Sequence, residues 1–342
     1  MKKGLKLLLS LTVILTLATS LIACNSKSSS KTTGEDAKVT VRLNEVTRSV
    51  FYGPMYVAIS QGFFDKEGIT IDLATGQGAD KVMQAVLSNN ADIGFCGPEQ
   101  VIYINNQGRE DYPVVFASLT QKDGSFLVGR NKETKFDWNT LRGKKVIGGR
   151  PGGVPAMALE YAMKNNNIIP KVDVNMVTNI DFAATSGAFK GGTGDYVALF
   201  EPTASMLEKE GSGCILASVG ENSGVIPYTC FFSTKSYLDN NKETIEKFTR
   251  AIYKGQQWYF SHTPEEIADS IIQFFPGTDR DIIIRVINNY NKIDALAHDP
   301  SIKEENLDRL IDIIQEYDKS LIPSKPDFNK IVDNSFAEKA TK

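Results

Sequence analysis

Two early stretches alternate apolar and polar positions: Val39, Val41 and Leu43, then Ile69, Ile71 and Leu73. A period of two predicts strands with one face on a core. Short apolar runs predict further strands at Ile93–Cys96, Val114–Ala117, Val146–Ile147, Val197–Phe200 and Ile215–Ala217. Helical spacing lies between them. Tyr56, Ile59 and Phe63 fall at i, i+3 and i+7, and Val82/Val86 and Met83/Leu87 pair four apart. Strand and helix alternate from about residue 39 to 230, which predicts a parallel α/β sheet. Beyond about residue 236 the strands stop. Ile245, Phe248 and Ile252 mark one helix; Leu307, Leu310, Ile314 and Tyr317 mark another. This tail, punctuated at Asn241, Thr263-Pro264, Gly277-Thr278 and Pro300, is expected to pack against one of the sheets.

One local grammar recurs where a strand ends and a helix begins. It reads Phe51-Tyr52-Gly53-Pro54, Phe95-Cys96-Gly97-Pro98, Gly152-Gly153-Val154-Pro155 and Phe200-Glu201-Pro202. Proline suits the first helical position because its φ is already set and its missing N–H would be unpaired there. Each case places a helix N-terminus at the carboxyl end of a strand, the edge of an open α/β sheet where ligands bind. Such junctions, with Thr75-Gly76-Gln77-Gly78-Ala79, make a small-molecule site if they converge on one cleft.

The N-terminus has a different pattern. Lys2, Lys3 and Lys6 precede an apolar run from Leu7 to Ala23 that stops at Cys24. A basic head, an apolar core and a small-residue exit read as an export signal over residues 1–23. Leu21-Ile22-Ala23-Cys24 matches the lipobox of bacterial lipoproteins. That resemblance implies a diacylglycerol on the Cys24 thiol, so the chain is expected to work outside the cytoplasm, held to the outer face of the cell membrane by lipid alone. Residues 25–38 are polar and aperiodic, expected as a flexible tether.

Composition narrows the function. Loss of Lys2, Lys3 and Lys6 with the signal lowers the net charge from −3 to −6, and no basic run follows. A nucleic-acid partner is not expected. Besides Cys24 there are Cys96, Cys214 and Cys230, an odd number without CxxC spacing, which is neither a disulfide framework nor a zinc ribbon. The only histidines are His262 and His298, both in the helical tail. No metal site, no cofactor and no catalytic residue is expected. Gly-x-x-x-x-Gly-Lys-Ser/Thr is absent, so no ATP chemistry is expected in this polypeptide.

Gly53-Pro54-Met55-Tyr56-Val57-Ala58, Gln61-Gly62-Phe63-Phe64, Glu67-Gly68-Ile69, Ala91-Asp92-Ile93-Gly94, Leu141-Arg142-Gly143-Lys144-Lys145-Val146 and Ala198-Leu199-Phe200-Glu201-Pro202 together resemble one family of solute-binding proteins. It contains the alkanesulfonate-, taurine- and nitrate-binding proteins of ABC importers, and binders of the thiamine pyrimidine precursor and of riboflavin. The resemblance implies a type II periplasmic-binding-protein fold: an α/β "Venus flytrap" of two lobes, each with a mixed, mostly parallel sheet, and a helical tail on lobe one. Lobe one would comprise residues 39–131 and 232–342, and lobe two 132–231. The chain would cross between them near Val128–Asn131 and Phe231–Ser233. The implied partners are a small-molecule ligand and an ABC permease with separate ATPase subunits, the binder acting as a monomer. A sulfonate, taurine or nitrate ligand is favoured, with an aminopyrimidine or flavin-type ring as the alternative. An extracellular sensor shares these features. An enzyme like the thiamine pyrimidine synthases of the same superfamily would need clustered histidine and cysteine, which this chain lacks.

In the resembling family the loop Arg48, Ser49, Phe51 and Tyr52 faces the ligand. Arg48 either pairs with a sulfonate or carboxylate or is a solvated arginine; Phe51 and Tyr52 either cover the ligand or pack in the core. Gly76 and Gln77 either let backbone approach a ligand or form a plain tight turn. Asp80 reads as a first-turn acid. Glu99 and Glu201 either accept a ligand N–H or complement a helix dipole. Arg150, Gly152 and Gly153 form the strongest candidate, a glycine turn with a guanidinium that suits an anion, or else an interlobe salt bridge. Gln121, Asn179 and Thr185 follow strands and complete the set.

Overall fold

A computed structural model describes residues 38–342. The export signal, Cys24 and all but the last residue of the expected tether lie outside the described residues.

The chain forms two five-stranded sheets. The strands are β1 (Val39–Glu45), β2 (Ile69–Thr75), β3 (Ile93–Cys96), β4 (Pro113–Thr120), β5 (Ser125–Gly129), β6 (Lys145–Ile147), β7 (Asn175–Val177), β8 (Tyr196–Phe200), β9 (Cys214–Ser218) and β10 (Thr229–Thr234). The first sheet has the order β2-β1-β3-β10-β4 and the second β7-β6-β8-β5-β9. Both are mixed. β1 runs parallel to β2 and β3, and β6 parallel to β7 and β8, as the helix-linked alternation predicts. β10 is antiparallel to both its neighbours, and so is β5. These are the strands on which the chain enters the second sheet and returns to the first, so the parallel share is smaller than local alternation suggests.

β5 and β10 also lacked a sequence signal. Every residue of β5 is buried, and all but the last of β10. A strand covered on both faces has no polar alternation to read. Their placement moves the crossings. β4 ends at Thr120 in the first sheet and β5 begins at Ser125 in the second, so the outward passage is 121–124, not Val128–Asn131. The return falls between Ser223 and Thr229, ahead of Phe231–Ser233. Backbone hydrogen bonds from Ile226 N to Gln121 O (3.0 Å) and from Tyr228 N to Thr120 O (3.0 Å) tie the two passages side by side.

The core of the first lobe is aromatic. Phe95 stacks on Phe231 at 4.3 Å between ring centres, and Phe231 meets the edge of Phe248 at 5.2 Å. Phe248 lies on the tail helix Lys242–Ser261. Each such ring contributes about 1.5–3 kcal/mol by leaving water, which holds the tail onto the first sheet. The helices Arg280–Lys292 and Glu304–Tyr317 reach further and touch Thr203–Lys209 and Val154–Asn165 of the second lobe. One expected helix is split. Gly62 takes φ 68°, a left-handed break that separates Gly53–Ser60 from Phe63–Lys66.

Candidate functional site

Ser49 decides what the first loop presents. Its hydroxyl oxygen accepts from Phe51 N at 3.2 Å and caps the short turn Val50–Tyr52. The turn sends Phe51 inward onto Tyr290, 4.7 Å between ring centres. Tyr52 instead lines a cavity of about 400 Å³. Of the two adjacent aromatics, Phe51 is core and Tyr52 wall.

The same cavity gathers Ser49, Gln77, Gly97, Glu99, Arg150, Gly153 and Asn179 from loops of both sheets. The junctions do converge. Gly76 does not join them: a Cβ there would stand 2.7 Å from Asn44 Oδ1, so its glycine is a packing requirement. Gly152 takes φ 74°, and its carbonyl accepts from the Tyr103 hydroxyl (3.1 Å), a contact between the lobes rather than a cavity wall. Gln121 is turned to the tail, where its Nε2 donates to Asp294 Oδ2 at 3.0 Å. Asp80 sits in the first turn of Ala79–Leu87, as expected, and its carboxylate lies 3.4 Å from Arg150 Nη2 across the cleft.

The central group is Glu99, 1% exposed. Its Oε1 accepts from Gln100 Nε2 at 3.2 Å, while Oε2 has no hydrogen-bond partner among the described residues. Burial pushes this carboxyl up to about 7 against the nearby positive charge of Arg150. An unpaired buried carboxylate oxygen costs stability unless something donates to it.

Around it stands an aromatic wall of Tyr52, Phe182, Phe200 and Tyr228, of which the sequence marks only Tyr52 as a candidate contact. Phe200 lies 6.2 Å from Tyr228 and 5.9 Å from Phe182. The strand run had included Phe200. The turn residue Pro227 ahead of an apolar run was the available sign for Tyr228.

A second cavity of about 320 Å³ adjoins the first, sharing Ser49, Gln77, Phe182 and Phe200 among its walls. Arg48 and Thr185 line this one. Arg48 Nε lies 3.1 Å from Oε1 of the fully buried Glu45. Glu45 also accepts from the Tyr56 hydroxyl (2.6 Å) and from Thr75 Oγ1 (3.1 Å), and burial pushes it up to about 7. The Thr185 hydroxyl donates to Phe182 O at 2.9 Å. Glu201 lines the second cavity, but its carboxylate is turned away. It accepts from Ser205 N (2.8 Å), Ser205 Oγ (2.7 Å) and Asn289 Nδ2 (2.9 Å), a structural anchor rather than an acceptor for a ligand. The histidines are elsewhere: His262 stacks on Trp258 and His298 on Phe260, all in the tail.

Comparison with known proteins agrees with this geometry. A family model described as "NMT1/THI5 like" matches residues 51–267. The chain is 44% identical over 307 residues to "Putative binding protein YtlA" of Bacillus subtilis (strain 168), covering 90% of this chain and 91% of that one. Among solved structures, the alkanesulfonate-binding protein SsuA of Xanthomonas axonopodis pv. citri, bound to MOPS, superposes with a TM-score of 0.69 at 14% identity, covering 88% of this chain and 100% of that one. The periplasmic nitrate-binding protein NrtA of Synechocystis PCC 6803 superposes with a TM-score of 0.69 at 15% identity, over 89% and 88% of the two chains. The two structures share this fold and carry different ligand names.

Proposed function

From the membership of this chain in the NMT1/THI5-like family, we propose that it is the solute-binding subunit of an ABC importer, lipid-anchored through Cys24 outside the cell. It closes two lobes on a small organic solute and presents it to a permease whose ATPase subunits are separate polypeptides. Closure about the paired passages is a hinge motion. A solute favours the closed state only through tighter contact with it. Among the described residues no helix is long and apolar enough to cross a membrane.

The solute carries an N–H donor. The single observation behind this reading is Glu99, whose Oε2 is buried and unpartnered among the described residues and whose side chain lines an aromatic-walled cleft. A purely anionic sulfonate or nitrate brings no proton to that oxygen and adds like charge beside it. A flat amino-substituted ring donates to Glu99 and lies against Tyr52, Phe200 or Tyr228. The sequence-based preference for a simple anion therefore gives way to its alternative. Arg150 supports a second, zwitterionic reading, with an ammonium at Glu99 and a sulfonate at the guanidinium.

Thermal shift separates these, since a ligand that binds only the folded state raises Tm. 4-Amino-2-methylpyrimidine is expected to stabilise the protein, and ethanesulfonate and nitrate are not. Stabilisation by ethanesulfonate, with none by the aminopyrimidine or taurine, would overturn the N–H reading.

A further inference from the structure

Cys96 and Cys230 face each other in the first sheet. β3 and β10 are antiparallel neighbours, and their register sets Cys96 directly opposite Cys230. Residues paired in this way point to the same side of a sheet, with Cβ atoms about 4.5–5.5 Å apart. On the other side the next pair, Phe95 and Phe231, stacks at 4.3 Å between ring centres. The row of small polar groups continues onto β4, where Ser118 Oγ lies 3.8 Å from Cys230 Sγ. Both thiols are buried and free. A disulfide needs Cα atoms about 4.4–6.8 Å apart and Cβ atoms about 3.5–4.5 Å apart. Paired antiparallel positions meet the first requirement, and a short inward shift meets the second. β10 has the slack for that shift. Its ladder with β4 changes register between Thr229 and Cys230 and again between Phe231 and Phe232. Such irregularities loosen the pairing locally and let a strand bend. The third cysteine, Cys214, stands opposite Gly129 in the second sheet.

We infer that Cys96 and Cys230 form a dithiol site, which a small-molecule disulfide or the disulfide of a thiol oxidoreductase converts to a cross-strand disulfide. One protein thiolate attacks a sulfur of the oxidant and joins it, and the other half of the oxidant leaves as a thiol. The second protein thiolate then attacks the joined protein sulfur. The bond between β3 and β10 forms and the remaining half leaves as a thiol. The two protein thiols give up two protons and two electrons, and the oxidant takes up both. The odd cysteine count that reads against a framework thus resolves into one pair and Cys214. Burial pushes both thiols up, Cys230 to about 12, which leaves little thiolate at neutral pH. The exchange therefore proceeds when the strands open locally, and the same burial shields the finished bond. The bond fastens the strand that leads into Gly97 and Glu99 to the strand on which the chain returns from the second lobe. Glu99 and Thr229, one beyond each end of the pair, both line the first cavity. The pairing geometry stands on its own. The oxidised form in the cell rests on the proposed place outside the cytoplasm, where disulfides persist.

The test uses the mature, lipidated protein carrying Cys214→Ser, which leaves these two thiols alone, and oxidised glutathione as the probe. Sub-denaturing urea lets the reagent in. Its concentration is set where Cys96→Ser and Cys230→Ser, each made in the same background, take up one glutathione, which shows that the pair has been reached. Under that condition the Cys96/Cys230 protein is expected to lose two hydrogens from its intact mass and to carry no adduct. Its thiols are expected to be unreactive to alkylation after denaturation, and digestion to give one peptide pair joined through Cys96 and Cys230. Two free thiols, or a separate glutathione on each, would overturn the site. A second measurement examines the compartment. Wild-type protein is trapped with an alkylating agent directly from the outer face of the cells and mapped. The same joined peptides are expected there. Both cysteines alkylated in that sample, with the bond forming readily in the first experiment, would overturn the oxidised form in the cell and leave the pairing geometry standing.

Discussion

A Cβ on Gly97 would stand 2.0 Å from Oε2 of Glu99. The carboxylate is folded back over bare backbone, and its place in the cleft depends on position 97 having no side chain. Gly97→Ala is expected to displace it and weaken binding of 4-amino-2-methylpyrimidine by about tenfold, the loss of one hydrogen bond to a charged group. Isothermal titration measures this. Undiminished affinity would show that Glu99 does not touch the solute.

Buried carboxyls set the pH response of the ligand-free protein. Burial raises Glu45 and Glu99 to about 7 and Asp123 to about 6, from ordinary values of 4.5 and 3.8. Between the ordinary and the raised values the folded state holds more protons than the unfolded chain. Their contribution is fully present below the ordinary values, is lost as pH rises through the raised ones, and is flat above. Tm is expected to fall from pH 5 to 7.5 and Glu99→Gln to flatten part of that slope. A Tm rising over this range would contradict the assignment.

The same group gives solute binding a sign. An N–H donor prefers the ionised Glu99, so affinity for 4-amino-2-methylpyrimidine is expected to rise from pH 6 to 8. A bare anion would bind more weakly over that interval. Titrations at three pH values distinguish the two.

Glu201 should behave as part of the framework. Glu201→Ala leaves the Ser205 N–H and Asn289 amide without their buried acceptor, a cost of about 2–3 kcal/mol. Thermal unfolding is expected to show a Tm lower by several degrees, with little change in affinity for the parent pyrimidine. Lost affinity at unaltered Tm would instead make it a ligand contact.

Tyr103 and Arg150 bridge the lobes through Gly152 O and Asp80. Tyr103→Phe removes one neutral hydrogen bond from the closed form, about 1 kcal/mol, and is expected to weaken solute binding about fivefold. Arg150→Ala is expected to lower affinity with almost no effect on the ligand-free Tm, because the exposed Asp80 pair adds little stability. Faster solute dissociation in stopped flow would locate both effects in opening.

Much of the site was legible from the sequence for a physical reason. Tyr52, Glu99 and Arg150 each follow the carboxyl end of a strand where glycine or proline breaks the backbone pattern, and topology brings such points together. Local pattern could not say which of Phe51 and Tyr52 turns inward, because the Ser49 cap decides it. Nor could it reveal that Gln121 faces the tail, which depends on a helix more than 150 residues away. Tyr228 was hidden because it lies in the passage just ahead of β10, a strand buried on both faces. Glu201 looked like Glu99 at the level of sequence. Only the positions of Ser205 and Asn289 distinguish an anchored carboxylate from an available one.

Thr120 and Thr229 stand opposite each other on neighbouring strands of the first sheet. Everything between them leaves and rejoins that sheet at adjacent points, as a cassette. A graft replacing residues 121–228 with the matching stretch of a relative would preserve every strand pairing of the first sheet. Arg150, Phe182 and Phe200 would change together, while Tyr52 and Glu99 stayed. One uninterrupted stretch of coding sequence is enough to recombine half of a specificity, a route by which one scaffold diversifies its cargo.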